Sequence, residues 1–299
     1  MEDLICLAWA YCRWVKPTKQ IECARSISRA KTFVEFWKDL SDQSGSVHGV
    51  GKSPLGWSPE SHLEQINKDL ARMKRDGINW VAIDYPEYPK PLAAIHDPPL
   101  VIFYRGKLPA DHECCVGLVG TRKPIAEAKS AAFDFGKGSA DLGIHLISGL
   151  AFGIDAAGHA GLVWAQGRGT AVLGSGVGFV TPKANRYLAS RLLQYGGSLV
   201  SEYPPYSHGE KYQFVQRNRI ISGLSNSVIV LDAPPGSGAL HTLDFALSQG
   251  RDVYVHRVGL GKGERSSVLD RYVADGAPII EVPEELVPCY RRNLDSLTI

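Results

Sequence analysis

Four glycine-rich turns in the second half of the chain have the residue types of an anion site. Gly120-Thr121-Arg122-Lys123-Pro124 ends an apolar run and puts Pro124 where the first residue of a helix should stand. Free backbone N–H groups at such an entrance, with Arg122 beside them, attract an anion. Ser148-Gly149-Leu150-Ala151-Phe152-Gly153-Ile154-Asp155 ends a second apolar run, and its glycines let backbone approach a phosphate closely. Gly174-Ser175-Gly176 leads to Thr181-Pro182-Lys183-Ala184-Asn185-Arg186, a helix start with a cation beside it, and Pro235-Gly236-Ser237-Gly238 precedes a helix from about Ala239 to Gln249. A fifth element, Gln216 to Ile221, sets Arg217 and Arg219 around Asn218 at another helix start. Any one such turn serves a tight strand-to-helix connection as readily as a ligand. Four in succession on one sheet edge, two with a cation alongside, point to a phosphate-rich ligand. For Arg217 and Arg219 the competing reading is a solvated helix face.

Other chemistries fit less well. Gly51-Lys52-Ser53 resembles the end of a P-loop, but Ser46 stands where the first glycine is required and no strand precedes it. Gly174 to Phe179 misses GxGxxG by one place, so no dinucleotide cofactor is expected. His159 has no second histidine or carboxylate to complete a metal site, and a structural role is expected for it. Asp155 is expected to cap its helix. No nucleophile is bracketed by an elbow, so no catalytic residue is assigned. The cysteines at 6, 12, 23, 114, 115 and 289 show no CxxC spacing, which leaves reduced core thiols rather than a zinc ribbon or a disulfide framework.

The elements that must hold these turns follow from texture. CCVGLVG, IHLISG, TAVLGSG, SLVSE, SVIVLDA and DVYVHR are near-continuous apolar runs alternating with helical stretches over about 113–258, as strands buried on both faces read. An α/β, mostly parallel, doubly wound sheet follows, with ligands expected outside the carboxyl ends of its strands. Ahead of it, residues 1 to about 43 carry apolar positions at helical spacing (Leu4, Leu7, Ala8, Tyr11; Phe33, Phe36, Trp37, Leu40). The Ser, Gly and Pro-rich run 44–59 reads as a linker, and about Glu60 to Asp76 as a further helix. Two short β-like runs, Trp80 to Ile83 and Leu100 to Tyr104, read as a bridge into the larger region.

The 299 residues carry 33 Lys and Arg against 31 Asp and Glu, a net charge of +2, which excludes a polybasic protein that grips nucleic acid or membrane by bulk charge. Between 115 and 258 the count is 13 against 9, so the excess gathers on the sheet region. No apolar run is long enough to span a membrane, and the acidic start Met1-Glu2-Asp3 is unlike a signal peptide, so a cytoplasmic protein is expected.

The ordered set Val119-Gly120-Thr121-Arg122, SGLAFGID (148–155) with His159, AVLGSG (171–176), Pro182 to Asn185, SEYPP (201–205), RNRIISGLS (217–225) and SGALHT (237–242) with Gly250-Arg251 resembles the DNA-processing protein A family (DprA/Smf). The resemblance covers about 80–290. It implies an extended Rossmann-like domain over 77–299 behind a small helical, SAM-like N-terminal domain over 1–76, and the tail after Pro283 is too short for the winged helix many relatives carry. It further implies a non-enzymatic protein without cofactor or metal that binds single-stranded DNA, protects it and loads the RecA recombinase in natural transformation, working as a homodimer. By position, Arg122, Lys183 and Arg217 to Arg219 would meet phosphates, with close backbone approach at Gly120, Ser148, Gly149, Gly153, Ser237 and Gly238. Thr121, Lys123, Phe152, Gly176, Asn185 and Asn218 complete the expected nucleic-acid-binding set. The family's usual aromatic residue before the proline of the third turn is replaced by Thr181. Phe152 and Phe179 nearby would offer a face to a base, or else pack in the core.

The rival is a nucleotide-binding or nucleotide-processing protein, like the phosphoribohydrolases whose PGGxGT turn supplies a glutamate. Here His241 and Thr242 stand where those carboxylates would be, leaving no acid or base for glycosidic cleavage.

Overall fold

The computed structural model describes residues 2–13, 15–27 and 58–286. The expected helical positions Phe33 to Leu40, most of the linker, Gly51-Lys52-Ser53 and Cys289 lie outside the described residues. Helices α1 (Glu2–Tyr11), α2 (Pro17–Ile27) and α3 (Pro59–Asp76) come first. The third begins where Ser58 and Ser61 form a reciprocal capping box, with Pro59 in the first turn, and ends at Gly77, whose φ of 63° closes the helix in the left-handed region.

Strands β1 (Ile78–Ala82), β2 (Val101–Gly106) and β3 (Cys115–Val119) lead into α4 (Ala126–Asp141), β4 (His145–Ser148), α5 (Ile154–Trp164), β5 (Gly169–Val172), α6 (Arg186–Gln194) and β6 (Ser198–Ser201). Then come α7 (Asn218–Leu224), β7 (Ser227–Val230), α8 (Ala239–Ser248), β8 (Asp252–His256), α9 (Ser267–Ala274) and β9 (Ile279–Ile280). The nine strands of the described residues form one sheet in the order β1-β2-β6-β5-β4-β3-β7-β8-β9, parallel from β6 to β9. The six apolar runs are its parallel strands β3 to β8. The two runs expected to form a bridge instead extend the same sheet: β1 pairs antiparallel with β2, and β2 antiparallel with β6.

Alternation along the strands feeds two apolar layers. Val116, Leu118 and Leu146 pack with Phe135 of α4 and Leu162 of α5 on one face. Val119, Ile147, Val172 and Val230 pack with Ile220 of α7 and Leu243 of α8 on the other. Leu7, Trp9 and Ile66 of the N-terminal helices belong to the first layer, where Tyr11 stacks edge-on against Phe103 of β2 and donates to Asp69. The chain runs from β3 to β4 on one side and returns to β7 on the other. That reversal opens a crevice at the carboxyl ends of β3 and β7, the place where such sheets bind ligands.

Candidate functional site

A cleft of about 630 Å³ occupies this crevice. One wall is the turn after β3. Its Thr121 N–H donates to the backbone oxygen of Asp232 at 2.6 Å, and Ile125 N–H to the Asp232 carboxylate at 3.1 Å. Arg265 fastens the same turn from a distant segment, donating to Lys123 O at 3.0 Å and to Asp232 Oδ2 at 2.7 Å. Ile125 holds an extended ψ of 158°, so α4 starts only at Ala126, and the Asp232 carboxylate takes up the N–H of the residue ahead of it. Pro124 therefore precedes the helix instead of occupying its first position, a correction to the reading of the sequence.

The floor is the turn after β4. Asp155 accepts from Gly149 N–H at 3.1 Å and Ala151 N–H at 3.4 Å, so it ties the loop ahead of its helix and is not the expected cap: Gly153 holds the cap position without a side-chain bond. Arg217, 3% exposed, lies under this loop and donates to Gly149 O at 2.7 Å, to Val172 O and to Asn218 Oδ1, with Asp155 3.8 Å away. A side chain on Gly149 would start 2.0 Å from that guanidinium. Burial pushes the Arg217 pKa down to about 10, Asp155 opposing, so it stays charged at neutral pH. Burial also raises the Asp155 carboxyl, against the opposing charge of Arg217 and the two N–H donors. Asn218 passes the connection on to Gly238 O at 3.3 Å, in the turn after β7.

Above this floor stand Arg122, Lys123 and Lys211, all exposed and lining the cleft. Among the described residues none of the three forms an ion pair, whereas Arg217 and Arg265 each have a carboxylate. Arg122 is close enough to help lower the Arg217 pKa, a sign of local positive potential.

Of the expected set, Gly120, Thr121, Arg122, Lys123, Arg217, Asn218, Ser237 and Gly238 meet in the cleft. The others do not line it. Ser148 is fully buried and donates to Leu118 O, and Gly149 lies on Arg217. Gly176 is pressed on the backbone of Pro204 and Pro205. Asn185 is buried and donates to Leu150 O, and Lys183 is exposed outside the cleft. Gly153, at φ 85°, abuts Thr121 O, while Phe152 projects into solvent. Arg219 is 1% exposed and faces Glu202 and Asp97, which more than offset the burial that works against its charge, so its pKa is raised. Neither arginine of that segment lies on a solvated helix face. His159 is fully buried, and burial pushes its pKa to about 3. Sequence reading missed Asp232, Arg265 and Lys211. The position of Asp232 just after an apolar run was a signal; Arg265 had none.

A doubly wound sheet with a basic, backbone-lined cleft at its switch point defines a Rossmann-like fold. The profile described as DNA recombination-mediator protein A matches residues 79–291, and the chain belongs to that family. It is 38% identical over 196 residues to the DNA processing protein DprA of Bacillus subtilis, covering 65% of this chain and 66% of that protein. It is 34% identical over 264 residues to the protein Smf of Synechocystis, covering 85% and 64%. The chain thus spans a little under two thirds of the length of these relatives. The X-ray structure of DprA from Streptococcus pneumoniae agrees with a TM-score of 0.72 at 26% identity, over 94% of this chain and 95% of that one. A structure of the Helicobacter pylori protein, concerned with its single-stranded DNA binding mode, agrees in fold with a TM-score of 0.62 at 21% identity, over 72% and 97%.

Proposed function

We infer that the chain binds single-stranded DNA in the cleft and acts as a recombination mediator, not as an enzyme. In this reading it protects incoming strands, passes them to the RecA recombinase during natural transformation, and works as a cytoplasmic homodimer. The observation that carries the reading is the set Arg122, Lys123 and Lys211, three exposed cations that form no ion pair among the described residues, above a floor whose own charges are paired. Such a site holds a phosphate chain and leaves base identity unread. The single-strand binding of the Helicobacter pylori relative is in line with it. Asp155, which lines the cleft, accepts from two backbone N–H groups, Asp232 behind the wall accepts from one, and each faces an arginine, which leaves neither placed as a general acid or base.

The test is titration with labelled oligonucleotides across a salt series. Binding should favour single strands over duplex and weaken steeply with salt; an affinity indifferent to both overturns the reading. Loading of recombinase on coated DNA, scored in parallel, separates a mediator from a passive binder. Release of free base from nucleoside monophosphates would instead favour a nucleotide-processing enzyme.

A further inference from the structure

A second groove, of about 580 Å³, runs between α4 and α5 and begins where the cleft ends. The loop after β4 belongs to both: Ala151 and Asp155 face the cleft, Phe152 and Gly153 the groove. Beyond the loop, two helix stripes at i, i+4, i+8 spacing lie side by side, Lys129-Phe133-Lys137 on α4 and Ala156-Ala160-Trp164 on α5. The helices touch through backbone, since a Cβ on Gly136 would fall 2.0 Å from Gly158 O and one on Gly161 1.8 Å from Phe133 O. The floor between the stripes is therefore low and flat, lined by the small side chains of Ala156 and Ala160.

Phe152 and Phe133 line it with Lys129, and Trp164 and Lys137 stand one helical turn past its lining, at i+4 from Ala160 and Phe133. Phe152 is 51% exposed and Trp164 73%, and the Trp164 ring lies 6.4 Å from that of Phe133, tilted by 57°. Rings this open do little for the core. Lys129 and Lys137 flank them, both exposed and neither ion-paired among the described residues. Glu127, Asp134 and Asp141, spaced by seven, fall on the neighbouring stripe of α4.

We propose that this groove carries the continuation of the single strand: bases leaving the cleft stack on Phe152, Phe133 and Trp164 while Lys129 and Lys137 meet the phosphates. The proposal rests on the reading of the cleft as a single-strand site. Three rings and about 12 Å of helix accommodate about three bases. Cations interleaved with aromatics match a polyanion with stacking faces.

The experiment compares thymidine oligonucleotides of about 6 and about 20 nucleotides, below and above the reach of the cleft alone, on the full chain and on Trp164→Ala, Trp164→Phe and Lys137→Ala. Trp164→Ala should weaken the long oligonucleotide about fivefold or more and leave the short one unchanged, with Trp164→Phe, which keeps a ring, close to wild type. The fluorescence lost in Trp164→Phe should be quenched in the wild type by the long strand only. Equal losses for both lengths, no loss for either, or an unquenched Trp164 overturn the proposal. So does a change in oligomeric mass with DNA affinity intact, which would assign the face to a protein contact. If wild type binds neither length, the reading of the cleft itself has failed; if it binds both while every variant matches it, only the groove is refuted.

Discussion

At the amino ends of the parallel strands, Glu113, His145, Thr170 and Ser198 form a continuous chain: His145 Nδ1 lies 3.1 Å from Glu113, its Nε2 2.8 Å from Thr170 Oγ1, and Thr170 2.8 Å from Ser198 Oγ. Arg168 closes it with two bonds to Glu113, at 2.8 and 3.0 Å. At the carboxyl ends of the same sheet, the buried tier is equally well paired, but Arg122, Lys123 and Lys211 are left over. Both ends contain basic residues. In the first network the arginine is spent on Glu113, whereas three cations at the cleft form no ion pair among the described residues, which prepares the switch point for a charge from outside.

The buried tier under the cleft should show the largest effect of substitution. Arg217→Met removes donors from Gly149 O and Val172 O and leaves Asp155 without its cation in a site that admits little water. Breaking a buried pair from one side costs about 3–5 kcal/mol. Denaturant unfolding should register that loss at neutral pH. A cost under about 1 kcal/mol would show that the guanidinium does not hold the floor together.

Next in size is the closed end. The hydrogen bond from His145, with Arg168 assisting and burial opposing, holds the Glu113 pKa at about 2. A depressed carboxyl stabilises the fold fully above its unfolded pKa near 4.5 and loses that contribution as pH falls toward 2. Glu113→Gln should therefore be less stable than wild type by about 2–3 kcal/mol at pH 7, with the gap closing between about pH 4.5 and 2. A gap independent of pH would mean that packing, not charge, accounts for the loss. DNA affinity at neutral pH should be unaltered, because this network sits at the end of the sheet away from the cleft.

The elements of the sheet were legible because strands buried on both faces cannot hide their apolar runs, and the turns because a strand-to-helix reversal needs glycine. What stayed illegible depends on partners far along the chain. Arg217 and Arg219 look alike in sequence, yet one meets Asp155 and backbone oxygens while the other meets Glu202 and Asp97. Arg265 reaches Lys123 across 142 positions. The pairing of β2 with β6 joins 103 to 201, and nothing local announced it. Asp232 reaches the Ile125 N–H across 107 positions.

The smallest effect on stability belongs to the residues most tied to the proposed function. Arg122→Ala, Lys123→Ala and Lys211→Ala remove exposed cations with no ion-pair partner among the described residues, so each should shift unfolding by less than about 0.5 kcal/mol. Their effect falls on binding. For single strands, the slope of log affinity against log salt changes by about 0.7 per phosphate neutralised. Each substitution should flatten the slope by about that amount, alike for every base composition, and the triple variant should lose about 2. Arg219→Lys, which alters a cation already committed to Glu202, should leave the slope unchanged. An equal flattening from Arg219→Lys would erase the distinction between paired and unpaired cations. A sequence-dependent loss from Arg122→Ala would mean that the cleft reads bases as well as phosphates.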